Sequence, residues 1–533
     1  MKNRAASGQA PRECSPARVS HEAMRAPGAN ADGIASAAPH YERLGAQDAA
    51  FVGLEDPRCH MHVGAVMLFD AGPVRTADGG IDIERIRSAI ESRLHLVPRF
   101  RQRLAFLPYE RLPIWIDDDR FRLAYHVRHA ALPRPGDERM LKRLVGQIMS
   151  QQLDRTRPLW EMWFVEGCEN DQFALISKTH HCVIDGVAGA DLLSVIMEPL
   201  PNGEIAEPIA WTPRPHPSSR RLVLDEVRRR LAQPLDVVRA ARRVWRAPEA
   251  ALAKLEETVS ALAEALSPAL TPASLLPINT PIGPTRRVDW TAMPLAECKA
   301  IKNALGGTVN DVVLATASGA LRRFCLRRGV DPNALDVRAV VPVSVRTSEE
   351  RGQLGNRITE VIAPLPIQLE HPVARLDAVR TTMSGLKESK QALGGEVMTA
   401  IAEWTVPNVL VQAVKLAMRS RPYNLTVTNV PGPQIPLYFL GCEMKTAYPV
   451  VPLLQNVGLV VGLFSYNGGL FWGLTADWET VPDLHDFAVA LETSFDELKS
   501  AAARHLTRQR RRAMPRAPRT ARAQPRASAP TAP

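Results

Sequence analysis

The sequence predicts an α/β protein of two domains, and three observations carry that prediction. Strand-like apolar runs alternate with helix-spaced apolar faces in each half of the chain. A basic stretch separates the halves, opened by Pro213, Pro215 and Pro217 and closed by the proline-rich segment 267–284. The length of 533 residues, 45% of them hydrophobic, suffices for two cores. Residues 1–40 then form a disordered extension, 41–200 a first domain and 201–285 a basic, partly helical linker. Residues 286–505 form a second domain, and 506–533 a disordered basic tail.

Order begins at Tyr41-Glu42-Arg43-Leu44, and Asp48-Ala49-Ala50-Phe51 opens a short helix. Met61 to Phe69 reads as a strand. Ile83, Ile86 and Ile90 share one face of a helix over about 82–94, as do Leu141, Leu144, Val145 and Ile148 over 138–152. After Arg157-Pro158-Leu159-Trp160, a strand over 161–166 reverses at Glu169-Asn170-Asp171 into the apolar run 173–177. Beyond it, Val187, Leu192, Leu193, Ile196 and Met197 give one face of a helix.

Past the linker, Thr308 is placed to cap a helix running to about Arg328. Strands are expected at 337–346, 358–369 and 424–429, with helices at 373–393 and 396–418. Segments 457–466 and 470–477 pair around Asn467-Gly468-Gly469, a hairpin signal. A last helix covers 483–504. From Arg508 to Pro533 there is no acidic residue, which reads as a solvated tail.

Between strand 173–177 and the helix that follows lies Lys178-Thr179-His180-His181-Cys182-Val183-Ile184-Asp185-Gly186. Neighbouring strand residues point to opposite faces, so His180 and His181 divide their tasks. One can face a reaction cleft while the other supports it from behind. The helical zinc pattern, with histidines at i and i+4, is not met, so no metal is expected. Taken singly, each histidine also fits a satisfied core or surface residue, and Asp185 a helix cap.

The net charge of +10 suggests an anionic partner. No groove-reading or ribonucleoprotein motif accompanies it, so nucleic acid is not expected. A phospholipid surface or a phosphate-rich cosubstrate accounts for the charge. The arginines between 220 and 246 read mostly as a solvated face. Seven scattered cysteines without paired spacing fit reduced thiols and a cytoplasmic protein. The polar first 38 residues do not read as a secretory signal. No apolar run approaches the roughly 20 residues of a membrane span.

The pattern HHxxxDG at 180–186 resembles the signature of CoA-dependent acyltransferases and peptide-synthetase condensation domains. With Asp48, Met61-His62-Val63-Gly64, Arg157-Pro158-Leu159-Trp160 and Pro281-Ile282-Gly283-Pro284, the chain over 41–505 resembles the bacterial wax ester synthase/diacylglycerol acyltransferase family. Asn310-Asp311-Val312-Val313-Leu314-Ala315, Pro342–Arg346, Gly355-Asn356 and Thr428–Pro433 complete the resemblance. It implies two chloramphenicol-acetyltransferase-like αβ domains with mixed sheets and an active site between them. It implies acyl-CoA as cosubstrate, no further cofactor, and diacylglycerol or a long-chain alcohol as acceptor. Because such acceptors are lipids, peripheral contact with a membrane or lipid inclusions is expected.

By the resemblance His181 is the general base, His180 supports it, and Asp185 with Gly186 shapes the loop. A hydroxyl needs such a base to attack a thioester. For the oxyanion two sources stay open: Thr426 and Thr428, which share a strand face, or Asn310 beside Asp311. The bland readings are β-propensity for the threonines and helix capping for Asn310-Asp311. Pro158, Leu159 and Trp160 are expected to line the substrate pocket, and Cys182 to pack. Two other classes remain: a condensation-type enzyme using carrier-protein thioesters, and a lipid-surface protein without catalysis.

Overall fold

The structure, a computed structural model, describes residues 40–108, 112–183, 195–228, 271–344, 358–388 and 421–513. Asp185, Gly186 and the helix expected after them lie outside the described residues. So do the N-terminal extension, 229–270 of the linker, Gly355-Asn356, the helix at 396–418 and the end of the tail.

The first half contributes β1 (Glu42–Arg43), α1 (Ala46–Leu54), β2 (His62–Asp70), α2 (Ile83–Arg93), β3 (Gln102–Phe106) and β4 (Pro113–Asp117). It continues with α3 (Leu123–His126), β5 (Val127–Ala131), α4 (Glu138–Met149), β6 (Trp160–Cys168) and β7 (Gln172–His180). Two of these helices, α2 and α4, start where the sequence offers a cap. The Asp82 and Asp137 carboxylates accept from the amides of Arg85 and Met140, three residues on. The β6–β7 turn places Asn170 and Asp171 at φ of 60° and 59°, a region these two residues tolerate well.

The second half runs β8 (Arg286–Pro294), α5 (Leu295–Leu305), α6 (Val309–Arg327), β9 (Arg338–Ser344), β10 (Ile358–Pro364), α7 (Pro372–Glu388) and β11 (Leu425–Pro431). Then come β12 (Tyr438–Phe439), β13 (Cys442–Val450), β14 (Leu459–Tyr466), β15 (Gly469–Asp477) and α8 (Leu484–Ala513). Thr308 caps α6 in a reciprocal box with Asp311. The β14–β15 hairpin turns on Asn467 and Gly468, both at positive φ. α8 runs on to Ala513, past the expected end near 504. Its last turns contain neither proline nor glycine, so 506–513 is helix and not tail.

The strands form two mixed six-stranded sheets and a small third one of order β1-β4-β3. One large sheet has the order β10-β9-β11-β14-β15-β8, the other β12-β13-β2-β7-β6-β5. The second order is not what a division at 285/286 suggests. β12 and β13 belong to the C-terminal half, yet β13 pairs antiparallel with β2 and completes the N-terminal sheet.

The seam between the sheets explains two glycines. Gly462 on β14 faces Gly473 on β15, and the chain leaving β13 crosses above them. A Cβ at Gly473 would fall on the carbonyl oxygen of Pro449, and one at Gly462 would press on Val451 and Pro449. Trp290 of β8 stacks on Tyr448 of β13 with ring centroids 5.1 Å apart, so one core spans both halves. The opposite face of the C-terminal sheet, with Val427, Val461 and Trp472, buries against α5 to α8 in a separate core.

The start of the linker is docked. Residues 219–228 are helical, and Leu222 packs with Leu107, Ile114 and Ile116 of the small sheet region. Arg214 grips Asp117 through two nitrogens at 2.9 and 2.7 Å. Arg220, Arg221 and Arg228 stay exposed, as expected of a solvated face. No described helix is long and apolar enough to cross a membrane.

Candidate active site

The histidine pair sits where β7 ends at the seam. His180 is the last strand residue, and His181 opens a short 3-10 turn, His181–Val183. His181 has left the strand, so the change of backbone, and not strand alternation, separates the two. His180 is 1% exposed, whereas His181 is half-buried. The His181 amide donates to the Met61 carbonyl at 2.7 Å, and its ring lies 3.9 Å from that of Phe51, centroid to centroid. The residue just before β2 and the helix α1 thus fix the position of His181 from two sides.

Behind it lies a buried polar layer. His180 Nδ1 accepts from the Cys182 amide at 3.2 Å and sits 2.9 Å from Cys182 Sγ. An accepting Nδ1 places the ring proton on Nε2, which faces Glu55 Oε2 at 3.6 Å, beyond hydrogen-bond reach. The other Glu55 oxygen is 3.3 Å from His62 Nε2. Arg155 donates to Glu55 through two nitrogens at 2.9 and 2.6 Å.

Burial alone would raise the Glu55 carboxyl, but His180, His62 and Arg155 together hold it well below the ordinary carboxylate range. Burial pushes His62 down to about 3 despite the carboxylate. The layer therefore holds one carboxylate, one guanidinium and a neutral His62 at neutral pH. Lys178, two residues back on the same face of β7, is pushed by burial down to about 8. Its ammonium donates to the Ile148 and Gln151 carbonyls, closing the C-terminal end of α4.

Cys182 does pack: it is 2% exposed, and burial moves its thiol above the ordinary range, away from a thiolate nucleophile. Among the described residues, no group of three His, Cys, Asp or Glu side chains is placed to hold a metal ion.

Across the seam, Thr426 and Thr428 share one half-buried face of β11. The strand neighbours of Thr426 are Val340 and Val460. Both valines pack in one apolar cluster with Met61, with Phe51 against it. The threonine face and His181 therefore border the same cluster. Asn310 and Asp311 are elsewhere: Asp311 is spent on the Thr308 cap, and α6 packs in the helix layer. Among the described residues, no hydrogen bond or ring contact joins either residue to the histidine pair.

Pro158, Leu159 and Trp160 differ from expectation. Leu159 and Trp160 are each 1% exposed, and Trp160 lies between Phe100 and His126 with its indole N–H on the Phe100 carbonyl. They are core, not pocket wall; the Leu159 carbonyl positions the site by accepting the His180 amide at 3.0 Å. Sequence reasoning missed Phe51 as a contact of His181, and Glu55 and Arg155 altogether. Those two are 100 residues apart, and no local spacing relates them.

Comparisons with known proteins identify what the whole chain is similar to. The model described as wax ester synthase/diacylglycerol acyltransferase catalytic domain matches residues 44–313, and that of the WS/DGAT C-terminal domain matches 354–499. A Mycobacterium tuberculosis protein named as a probable diacylglycerol O-acyltransferase is 31% identical over 88% of this chain and 98% of its own length. Another from that organism, provisionally given the same activity, is 34% identical over 86% of this chain and 90% of its own. The solved wax ester synthase/diacylglycerol acyltransferase of Marinobacter aquaeolei has a TM-score of 0.61 at 26% identity, covering 86% of this chain and 100% of that one. The first condensation domain of the calcium-dependent antibiotic synthetase shares the fold alone, with a TM-score of 0.53 at 17% identity over 88% and 97%.

Proposed function

Given that the chain belongs to the wax ester synthase/diacylglycerol acyltransferase family, we propose that it moves a fatty acyl group from acyl-CoA to the hydroxyl of diacylglycerol, with long-chain alcohols as second acceptors. The observation that carries this reading is the placement of His181, half-buried at the seam and backed by a fixed polar layer. In this reading His181 takes the acceptor hydroxyl proton as the oxygen attacks the thioester carbonyl. The tetrahedral intermediate then collapses, the C–S bond breaks, and the proton passes to the departing CoA thiolate. The β11 face with Thr426 and Thr428 is the better-placed source of an oxyanion donor, because it borders the cluster that holds His181.

Radiolabelled acyl-CoA supplied with diacylglycerol, hexadecanol or a primary amine should give triacylglycerol first and wax ester second. A product confined to the amide, or no product from any acceptor, would overturn the proposal.

Such acceptors reside in lipid, so the reading includes peripheral contact with a membrane or lipid inclusion. The helical stretch 219–228 supports it, exposing Val223, Leu224 and Val227 beside Arg220, Arg221 and Arg228. Each basic residue near an anionic surface contributes on the order of 1 kcal/mol. Leu224→Glu with Val227→Glu should weaken sedimentation with anionic liposomes and leave turnover on a detergent-dispersed acceptor near wild type. Coincident binding curves across a salt series would remove this helix from the interface.

A further inference from the structure

Between α4 of the first half and β8 of the second lies a cleft of about 1110 Å³. Five basic side chains line it, Arg139, Lys142, Arg143, Arg286 and Arg287, against two carboxylates, Glu138 and Asp289. Both carboxylates are taken: Lys142 Nζ sits 2.6 Å from Asp289 and 3.1 Å from Glu138. Arg286 is buried and donates to the carbonyls of Gly283 and Arg58. For the other three arginines, no carboxylate of the described residues lies within 4.0 Å. The Arg287 guanidinium carbon sits over Trp478, 3.8 Å from the ring centroid, and its Nε is buried without an acceptor. Trp478 as a residue remains 45% exposed at the cleft.

An excess of cations on concave, low-dielectric walls concentrates positive potential. Guanidinium forks match phosphate oxygens, and a flat exposed indole beside them suits a purine ring. Neutralising this charge within the protein would take carboxylates that the cleft lacks. We propose that the α4–β8 cleft binds the phosphorylated nucleotide end of coenzyme A. This rests on the reading of acyl-CoA as donor and deepens it by placing the donor's charged end. The cleft and the base are linked by one short segment: Arg286 holds the Arg58 carbonyl, and three residues on Met61 holds the His181 amide. An extended thiol-bearing arm leaving the cleft would follow that segment toward His181.

The test is calorimetric titration of the full-length protein with desulfo-CoA, which binds without reacting. Wild type should bind it, with adenosine 3′,5′-bisphosphate competing. Arg143→Ala with Arg287→Ala should weaken binding at least tenfold. The same pair should shrink, by a similar factor, the kcat/KM advantage of acyl-CoA over an acyl-N-acetylcysteamine thioester that lacks the nucleotide. Should loss of the Trp478 stack unfold that variant, Arg139→Glu with Arg143→Glu, both on the exposed side of α4, asks the same question. Unchanged affinity in a folded variant, or displacement of desulfo-CoA by anionic phospholipid vesicles but not by the bisphosphate, would overturn the assignment. Because binding is read without turnover, an enzyme that binds desulfo-CoA in this cleft yet transfers no acyl group would sink the functional reading alone.

Discussion

Replacing His181 with alanine is expected to lower turnover at saturating substrate by roughly 10²–10⁴-fold, the usual worth of a general base. Thermal stability should fall less than in His180→Ala, although the ring contact with Phe51 is lost. The ring is half-buried, and the hydrogen bond to Met61 comes from the backbone amide, which alanine keeps. His180→Ala should carry the opposite signature. It empties a fully buried site and leaves the Cys182 amide without its acceptor, so the melting temperature should fall with activity. Turnover assays and melting curves on both variants separate the roles. Most of the wild-type rate surviving in His181→Ala would remove that residue from proton transfer.

The second large effect is expected at Glu55. Its side chain is 2% exposed and is the one carboxylate within 4.0 Å of His62, His180 and Arg155 among the described residues. Breaking a buried charge pair costs about 3–5 kcal/mol. Arg155 is 38% exposed and can rehydrate, so Glu55→Ala should fall at the lower end, about 3 kcal/mol. Urea unfolding measures it, and wild-type stability in that variant would show that the layer is not held by this charge.

Part of the pH dependence follows from the same layer. His62 titrates near 3 in the fold against roughly 6.5 in the unfolded chain. Below 6.5 the unfolded chain binds a proton that the fold refuses, so stability falls as pH falls. At pH 5 the loss from this group is about 2 kcal/mol. The depressed Glu55 carboxyl adds a further loss once pH drops through the unfolded carboxylate value, near 4.3. His62→Gln should remove that share of the decline between pH 6.5 and 5, read from melting temperatures, and leave the share of His126, which burial pushes down to about 4.

Local chemistry made part of this legible in the sequence. The Thr308 cap, the Asn467-Gly468 turn and the 161–177 hairpin each depend on residues a few positions apart, and each is found close to where it was expected. Wherever the partner lies far along the chain, the sequence was silent. Nothing in β13 announces that it pairs with β2, because an alternating strand fits either sheet edge. Trp160 reads as a pocket residue from its motif, but its neighbours Phe100 and His126 come from distant turns and claim it for the core. Glu55 sits between a helix end and a strand, where a charged residue is ordinary until folding surrounds it with histidines.

The pairing of β13 with β2 also sets a timetable for synthesis. Once β5, β6, β7 and β2 have left the ribosome, they can form a sheet whose β2 edge has no neighbour. Its partner ends at Val450, about 270 residues after His180, which at ~5–20 residues per second means a wait of roughly 15–50 seconds. For that interval a nine-residue strand edge bearing Val66, Met67 and Phe69 is open to pairing with any other chain. The nascent first half is therefore a natural client for a chaperone, and crowded expression should favour aggregates seeded at that edge.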